Sequence, residues 1–325
     1  MQKKSAKKFC KLYCFRTFAA FLYMAYSVLM KRNGFILLLL MLATVVWAVP
    51  ADEYWQLFYQ PDGTVVELCL VGDEYERHYE GRDGMVYEQD AMGKWVVVSQ
   101  IESEQRIARR RQASPLLQGP HRIGAVNLAP RGLVILANYS DVRFDASNDL
   151  AGMTEMLNGD DYTYEDATGS ARRYFIDQSD GQYTPWFDVV GPVTLDNPRS
   201  YYGANNGSTL DIRASQMIVD ACVKADEAGV DFTRYDNNKD GLVDFVFVIF
   251  ADKGEADGGP AESIWPHHWY VKQGAKKTCI VDGLYIDDYA CAAEKNGRTG
   301  KRTGIGTFCH DFGHVMGLPD YFDTK

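Results

Sequence analysis

Residues 306–320 read GTFCHDFGHVMGLPD, and this stretch carries the clearest information about both fold and chemistry. Thr307 is a favourable helix N-cap and Gly317 a favourable helix stop, which predicts a helix of about two and a half turns between them. His310 and His314 are four residues apart, so both imidazoles leave the same face of that helix. Two imidazole nitrogens on one helix face are a geometry that binds Zn²⁺.

The residues around the two histidines complete the pattern of a catalytic metal site. Asp320 lies six residues after His314, beyond the sharp turn that Gly317 allows, where a third ligand would close the site. Two histidines and one carboxylate leave one coordination position open for water. A third ligand from residues beyond Lys325 stays an open alternative.

The string HDFGHVMGLPD at 310–320 resembles the zinc helix of the immune inhibitor A family of secreted bacterial metalloproteases, whose pattern is HEFGHxxGLPD. Further stretches similar to this family begin at Gly132, Gly169, Gln182, Tyr201, Asp236, Ile264 and Gly304. The resemblance covers about residues 130–325 and implies an α+β fold with a layered, zincin-type catalytic domain. It also implies a zinc-dependent endopeptidase that is made as a zymogen and cleaves proteins or peptides.

Two departures from the family pattern bear on activity. Where the family has glutamate as general base, this chain has Asp311, whose carboxylate is one methylene shorter and sits on the order of 1 Å further from the attacking water. A misplacement of about 1 Å can cost around a hundredfold in rate, so we expect metal binding to survive and catalysis to be weak or lost. The sequence also stops at Lys325, which suggests an incomplete catalytic domain, as in a fragment or a degenerate copy.

Composition divides the rest of the chain into parts with different characters. We predict an upstream extension or mis-assigned start (1–29), a signal peptide (30–48), a small β-rich propeptide (49–104), an Arg-rich linker with a processing site (105–129) and the N-terminal part of a metalloprotease domain (130–325). The signal peptide follows from Lys31 and Arg32, an apolar run and a small-residue cut after Ala48. A two-helix membrane anchor is the alternative to a signal peptide.

The predicted propeptide and linker differ in their local signals. Turn signals at 60–63, 81–84 and 92–93 separate short strand patterns, which favours a β-rich unit. The linker carries the triplet Arg109, Arg110 and Arg111 within a polar stretch, which is typical of a site for trypsin-like cleavage. A solvated basic helix end is the alternative interpretation.

After residue 130, helix patterns alternate with buried strands, which predicts a layered α+β or α/β domain. The apolar runs at 132–137 and 245–250 predict buried strands, and 171–176 and 215–225 predict helices. The Asp180-Gly181 turn predicts a hairpin.

Residues 236–244 read DNNKDGLVD, which predicts a structural calcium loop. Side-chain oxygens would be the ligands at loop positions 1, 3, 5 and 9, which are Asp236, Asn238, Asp240 and Asp244. The backbone carbonyl of Leu242 would be the ligand at position 7. Position 12 is Phe247, so the bidentate glutamate of an EF-hand is missing. An Asx-rich turn leading into a strand is the alternative.

The charge distribution bears on partners and location. The chain carries a net charge of −10, yet no acidic residue precedes Asp52. From Asp52 onward, 26 basic residues face 44 acidic ones, which leaves −18. A surface this acidic repels nucleic acid and anionic lipid. We therefore expect a secreted protein, with cell-surface retention left open, that acts on protein or peptide substrates and has no nucleic-acid partner and no stable membrane partner.

Cysteines and the remaining histidines give weaker signals. Cys279 and Cys291 could pair only if they face each other across a hairpin. His267 and His268 lie in an aromatic stretch, where a buried, hydrogen-bonded core residue is favoured over a metal ligand. Cys69 as a thiolate that blocks the zinc is a minor alternative.

Three functions are therefore compared. The first is a secreted zinc endopeptidase zymogen. The second is a catalytically weak or inactive pseudo-protease that acts as a binding module, which the aspartate at position 311 favours. The third is a calcium-stabilised surface protein without metal chemistry, against which the pair of histidines argues.

Overall fold

The computed structural model describes residues 54–72, 77–90, 92–99, 105, 127–165, 167–206 and 210–318. The predicted upstream extension, the signal peptide, the arginine triplet with most of its linker, and Asp320 lie outside these residues. From Trp47 onward the chain forms one compact unit. Among the described residues, no helix combines the length and the apolar character needed to cross a lipid bilayer.

The described part of 49–104 is a five-stranded antiparallel meander, called here the N-terminal sheet. Its strands follow one another in space as in sequence: β1 (Trp55–Tyr59), β2 (Val65–Gly72), β3 (Arg77–Gly81), β4 (Val86–Gln89) and β5 (Trp95–Val97). Phe58, Tyr79 and Trp95 pack on one face, with ring centroids 4.7 to 5.4 Å apart. The β-rich prediction for this region is confirmed, because alternating side chains supply one packed face.

A second five-stranded sheet, the central sheet, organises the rest of the chain in the order β7-β6-β8-β12-β9. Its strands are β6 (Arg131–Asn138), β7 (Trp186–Thr194), β8 (Val246–Lys253), β9 (His267–Tyr270) and β12 (Asp288–Lys295). The first four strands in that order are parallel, and β9 pairs antiparallel with β12 at the edge. A separate hairpin is formed by β10 (Cys279–Val281) and β11 (Leu284–Ile286).

Helices cover both faces of the central sheet. They are α1 (Leu150–Asn158), α2 (Ala171–Gln178), α3 (Arg199–Gly203), α4 (Ala214–Glu227), α5 (Val271–Gly274) and α6 (Ile305–Val315). Alternate residues of β6 and β8 point to opposite faces, so one apolar core lies under α4 and another under α1, α2 and α6. This arrangement confirms the predicted layered α+β fold, and the buried strands and the helices near 171 and 215 lie where they were predicted.

Helix α6 begins three residues earlier than predicted. Its N-cap is Gly304, with φ −72° and ψ 171°, and Thr307 lies inside the first turn. The cause is a tertiary contact. Arg302 forms a β-bridge with Lys295, the last residue of β12, and the helix begins shortly after this bridge. The predicted stop is confirmed, because Gly317 has φ +82° and its N–H donates to the His314 carbonyl.

One local prediction is wrong, and one condition that the sequence left open is not met. Asp180 and Gly181 do not form a hairpin turn; they end α2, with the Gly181 N–H donating to the carbonyl of Ile176, before the chain enters β7. Cys279 and Cys291 do not face each other across a hairpin. Cys279 pairs with Ile286 in the β10–β11 hairpin, whereas Cys291 lies on β12 in the central sheet.

Candidate metal centre

The rotation of α6 is fixed by two phenylalanines on its buried face. Phe308 packs 4.3 Å from Phe247 and 4.9 Å from Phe187, measured between ring centroids. Phe312 packs 4.8 Å from Phe245 and 5.2 Å from Phe187. These aromatic contacts join the helix to β7 and to the start of β8, so the opposite helix face points away from the sheet core.

The two histidines converge on that opposite face. His310 Nε2 and His314 Nε2 lie 3.0 Å apart, and the rings meet edge to face with centroids 4.6 Å apart. Burial, together with the charge that His314 would carry, lowers the pKa of His310 to about 3. His310 is therefore neutral at physiological pH and has a lone pair available for a ligand bond.

The tautomer of His314 is set by the helix end. His314 Nδ1 lies 2.8 Å from the carbonyl oxygen of Leu318, and because a carbonyl only accepts, Nδ1 carries the proton. In its neutral form the ring therefore presents the lone pair of Nε2 toward His310. Metal-binding histidines are commonly oriented by such a bond from the other ring nitrogen to a backbone carbonyl. The turn at Gly317, which brings Leu318 back to the helix, thus orients a candidate ligand.

Asp311 completes the group. Its side chain is fully buried, and one carboxylate oxygen and the two imidazole nitrogens all lie within 4.8 Å of one another. Among the described residues, His310, Asp311 and His314 are the one cluster of at least three metal-binding side chains. Two imidazole nitrogens on one face are donors that suit Zn²⁺, and the Asp311 carboxylate beside them is placed for a role as base, so the residues present fit the metal that the sequence predicts.

A further histidine lies beside this group. The His268 ring on β9 is 6.2 Å from the His314 ring, and His268 Nε2 donates to Asp288 Oδ1 at 2.8 Å. Sequence reasoning placed His268 in the core, which is confirmed, but missed its position next to the histidine pair. The contact joins residues 46 positions apart, 268 and 314, so no local signal in the sequence could reveal it.

His267, the neighbouring histidine, is also a buried core residue. Its Nε2 lies 2.8 Å from the hydroxyl of Tyr289, and that hydroxyl lies 2.9 Å from Ser215 Oγ on α4. Its Nδ1 donates to the Trp265 carbonyl at 2.6 Å. Burial lowers the pKa of His267. This buried chain joins α4, β12 and β9 and takes no part in the metal centre.

The predicted calcium loop lies at the entrance to β8, away from the histidines. Asp236 accepts from the backbone N–H groups of Asp240 and Gly241, both at 3.0 Å. Asp240 in turn accepts from the Leu242 N–H at 3.0 Å, and Asn238 accepts from the Asp240 N–H at 3.0 Å. The oxygens thus hold the loop in Asx turns, as the alternative interpretation predicts.

One loop residue was missed. Asn237, which stands between the predicted ligands, accepts from the Arg131 N–H and donates to the Arg131 carbonyl, each at 3.1 Å. It also contacts Asp244, which accepts from the Asn237 N–H at 2.9 Å. Asn237 therefore ties the loop to the start of β6.

The α+β fold and a helix that presents two histidines and a carboxylate together define the class of the metallopeptidases. Residues 132–325 match the family described as Immune inhibitor A peptidase M6, catalytic domain, and the chain belongs to that family.

Known relatives agree with this assignment. The chain is 25% identical to Immune inhibitor A of Bacillus thuringiensis subsp. alesti over 237 residues, which cover 59% of this chain and 33% of that protein. It is 25% identical to the Pre-pro-metalloprotease PrtV of Vibrio cholerae serotype O1 (strain M66-2) over 253 residues, which cover 64% of this chain and 27% of that protein. The match therefore spans about a third or less of each relative.

Proposed function

We propose that this protein is a secreted zinc-dependent metalloendopeptidase made as a zymogen. The observation that carries the proposal is the pair of imidazoles whose Nε2 atoms lie 3.0 Å apart, with His314 Nδ1 held by the Leu318 carbonyl. Membership of a peptidase family and the names of its relatives support peptide-bond hydrolysis.

His310 and His314 would hold the zinc ion through their Nε2 atoms, with Asp320 as the third ligand. When bound, the ion supplies Lewis-acid chemistry, polarising the peptide carbonyl and increasing the acidity of water. Asp311 would accept a proton from the attacking water at its carboxylate and return it to the leaving amine. Its position supports this role, because one carboxylate oxygen lies within 4.8 Å of both imidazole nitrogens that would hold the ion.

A pseudo-protease that acts as a binding module is the second candidate, and the aspartate at position 311 favours it. Asp311 is one methylene shorter than the glutamate of the family pattern, so its proton transfer would span a longer gap. In this case the metal centre would persist as part of the fold, and protein partners would be bound without being cleaved.

The export and processing steps are part of the proposal. The basic and apolar residues of 30–48 support a signal peptide, and the Arg109–Arg111 triplet supports a processing site within the linker 105–129. One relative carries the name Pre-pro-metalloprotease, which describes a protein with both a leader and a propeptide. Residues 49–104 would then be the propeptide and residues from 130 onward the protease domain.

A structural calcium ion in the loop 236–244 is also proposed. Its support is the spacing of the oxygen-bearing side chains Asp236, Asn238, Asp240 and Asp244 and of the Leu242 carbonyl. The side-chain oxygens that accept from the loop N–H groups have further lone pairs available for an ion, and millimolar extracellular calcium makes even a weak site useful.

Elemental analysis of the purified full chain tests the zinc site. We expect about one zinc per chain in the wild type and a loss of most of it in His314→Ala, because one of two nitrogen ligands is removed. His78→Ala is the control, since His78 lies on β3 of the N-terminal sheet and should leave the zinc content unchanged. A wild-type chain that contains no zinc would refute the proposed zinc site.

Casein cleavage by Asp311→Glu separates the two candidate functions. If Asp311 is a base with insufficient reach, the longer side chain should raise cleavage by up to about a hundredfold, whereas Asp311→Asn should abolish it. An Asp311→Glu variant that binds zinc but does not cleave casein would favour the binding module.

A further inference from the structure

A buried arginine joins the N-terminal sheet to the layers of the central sheet. Arg77, the first residue of β3, is only 4% exposed. Its Nη2 donates to Asp211 Oδ2 at 2.8 Å and also to the carboxylate of Glu255. Both carboxylates lie more than 130 residues further along the chain, so the contact is purely tertiary.

An indole forms one wall of this site. The guanidinium carbon of Arg77 lies 4.8 Å from the ring centroid of Trp265, which is fully buried. The backbone N–H of Trp265 donates to Asp211 Oδ2 at 3.3 Å, so the wall and one carboxylate are held together. Asp211 is fixed from its other side, because its N–H donates to Asn205 Oδ1 at 2.9 Å. We call the three residues Asp211, Glu255 and Trp265 the arginine slot.

Apolar contacts seal the arginine slot from solvent. Leu70 on β2, Ala256 and Trp265 form one buried cluster, and Tyr79 on β3 packs against it. Within this seal the two carboxylates of the slot share one guanidinium. Without Arg77 they would be two like charges in a poorly solvated position, which is strongly unfavourable.

The chemistry of the slot selects arginine over lysine. A guanidinium is planar, keeps its charge when buried and stacks on an aromatic face, and here its Nη2 donates to both carboxylates while its plane faces the Trp265 ring. An ammonium group is more strongly hydrated and offers no plane to stack on the Trp265 ring. Burial inside a sealed contact also protects the pairing from screening by salt.

We propose that Asp211, Glu255 and Trp265 form a binding site for an arginine side chain, which Arg77 fills, and that this site holds the N-terminal sheet noncovalently after the linker is cut. The second half of the proposal rests on the processing step proposed above. The occupant is the N-terminal sheet of this same chain, because in the part of the chain that the structure describes this sheet supplies both the guanidinium and the side chains of Leu70 and Tyr79 that close over it.

The chain contains a matched control. Arg82, on the same sheet, also pairs with a carboxylate and an indole: its Nε is 2.9 Å from Glu67 Oε2, and its guanidinium carbon is 3.7 Å from the Trp55 ring centroid. Its side chain, however, is 59% exposed, and both partners belong to the N-terminal sheet. Replacing Arg82 removes the same chemistry without touching the contact between the two parts.

The test uses the full chain with a recognition site for a specific protease inserted between residues 112 and 119. Cutting there does not depend on natural processing. The buffer is held at about pH 8, where Glu255, whose pKa burial raises to about 7, is ionised. After cutting, size-exclusion chromatography over a dilution series gives the Kd of the two pieces.

We expect the two wild-type pieces to elute together. Arg77→Ala should raise the Kd by about 100-fold or more, because it strands two buried carboxylates. Arg77→Lys should raise it by about tenfold, and Arg82→Ala should leave it within about threefold of wild type. Wild-type pieces that separate at once, or an Arg77→Ala complex as tight as wild type, would overturn the proposal.

A second measurement avoids substitutions that impair folding. Arginine amide, added to the cut wild-type protein, should raise the Kd by competing for the slot, whereas lysine amide at the same ionic strength should not. Equal effects of the two amides, or no effect of either, would contradict an arginine site. Natural processing is scored separately, from the mass of the secreted chain; a chain never cut at its linker would refute the zymogen proposal and leave the slot result standing.

Discussion

Glu255 is a carboxyl group whose surroundings oppose its charge. Burial raises its pKa from 4.5 to about 7; Arg77 acts against this shift, and the nearby negative charges of Asp211 and Glu262 add to it. Tyr79, whose hydroxyl is also buried, is a further titratable group close enough to interact with Glu255. The folded protein therefore holds a proton on Glu255 in a pH range where the unfolded chain has released it.

This shift predicts a pH dependence of stability. Between about pH 4.5 and pH 7 the folded state binds more protons at Glu255 than the unfolded state does, so the free energy of unfolding should fall as the pH rises. The stabilisation should be fully present below about pH 4.5 and lost above about pH 7, with a size on the order of 2 to 3 kcal/mol.

Urea unfolding of the wild type and of Glu255→Gln across this range provides the measurement. The glutamine variant cannot titrate, so its free energy of unfolding should lack this downward slope. Parallel curves for the two proteins would show that Glu255 keeps an ordinary pKa.

At the scale of elements, α6 depends on how its C-terminus is closed. The Leu318 N–H donates to the Gly313 carbonyl and the Gly317 N–H to the His314 carbonyl, a Schellman motif that requires the positive φ of Gly317. Gly306, on the same helix, is exposed and has ordinary helical geometry with open space around its Cα.

These two glycines predict opposite effects of one substitution. Gly317→Ala should lower the free energy of unfolding by about 1 kcal/mol, because alanine is strained at φ +82°. Gly306→Ala should raise it by up to about 1 kcal/mol, since alanine is the better helix former. Thermal or urea unfolding measures both; a destabilising Gly306→Ala together with a neutral Gly317→Ala would contradict this account of the helix.

The elements that the sequence predicts well are those with strong local signals. The apolar runs of β6 and β8 and the stop of α6 at Gly317 follow from periodicity and backbone freedom, and they are correct. The start of α6 was misplaced because the Lys295–Arg302 bridge, a tertiary contact, overrides the capping preference of Thr307.

The candidate site also contains one feature that the sequence predicts and contacts that it does not predict. The four-residue spacing of the histidine pair predicts its geometry, because one helix turn brings the two rings together. The neighbouring His268 and the pairing of Arg77 with Asp211 depend on which elements pack together. Such contacts join distant parts of the chain, and a pattern within a short window contains no information about them.

At the scale of the whole molecule, the loop 236–244 joins two parallel strands of the central sheet. It leads into β8, and Asn237 ties it to the first residue of β6 through two hydrogen bonds of 3.1 Å. An ion bound in this loop would therefore stabilise the pairing at the centre of the fold as well as the loop itself.

Thermal unfolding of the full chain tests the proposed calcium ion. Adding calcium at about ten times its Kd should raise the Tm by about 2 to 4 °C, because the ion binds only the folded loop. Magnesium at the same ionic strength is the control and should have little effect, since it needs a stricter octahedral site. Asp240→Asn should weaken the calcium response; a variant that responds like the wild type would refute the loop as the site.

The two sheets differ in how far apart in sequence their paired strands are. Every pair in the N-terminal sheet joins consecutive strands, whereas β6 pairs with β8, and β8 with β12, across long intervening segments. Local hairpins close within microseconds, while distant parallel strands assemble slowly. We therefore expect the N-terminal sheet to be complete while the central sheet is still forming. Arg77 would then be in position when the segments that contain Asp211 and Glu255 pack against it. Residues 55–97 would then determine how fast the rest of the chain reaches its native state, in addition to covering part of its surface.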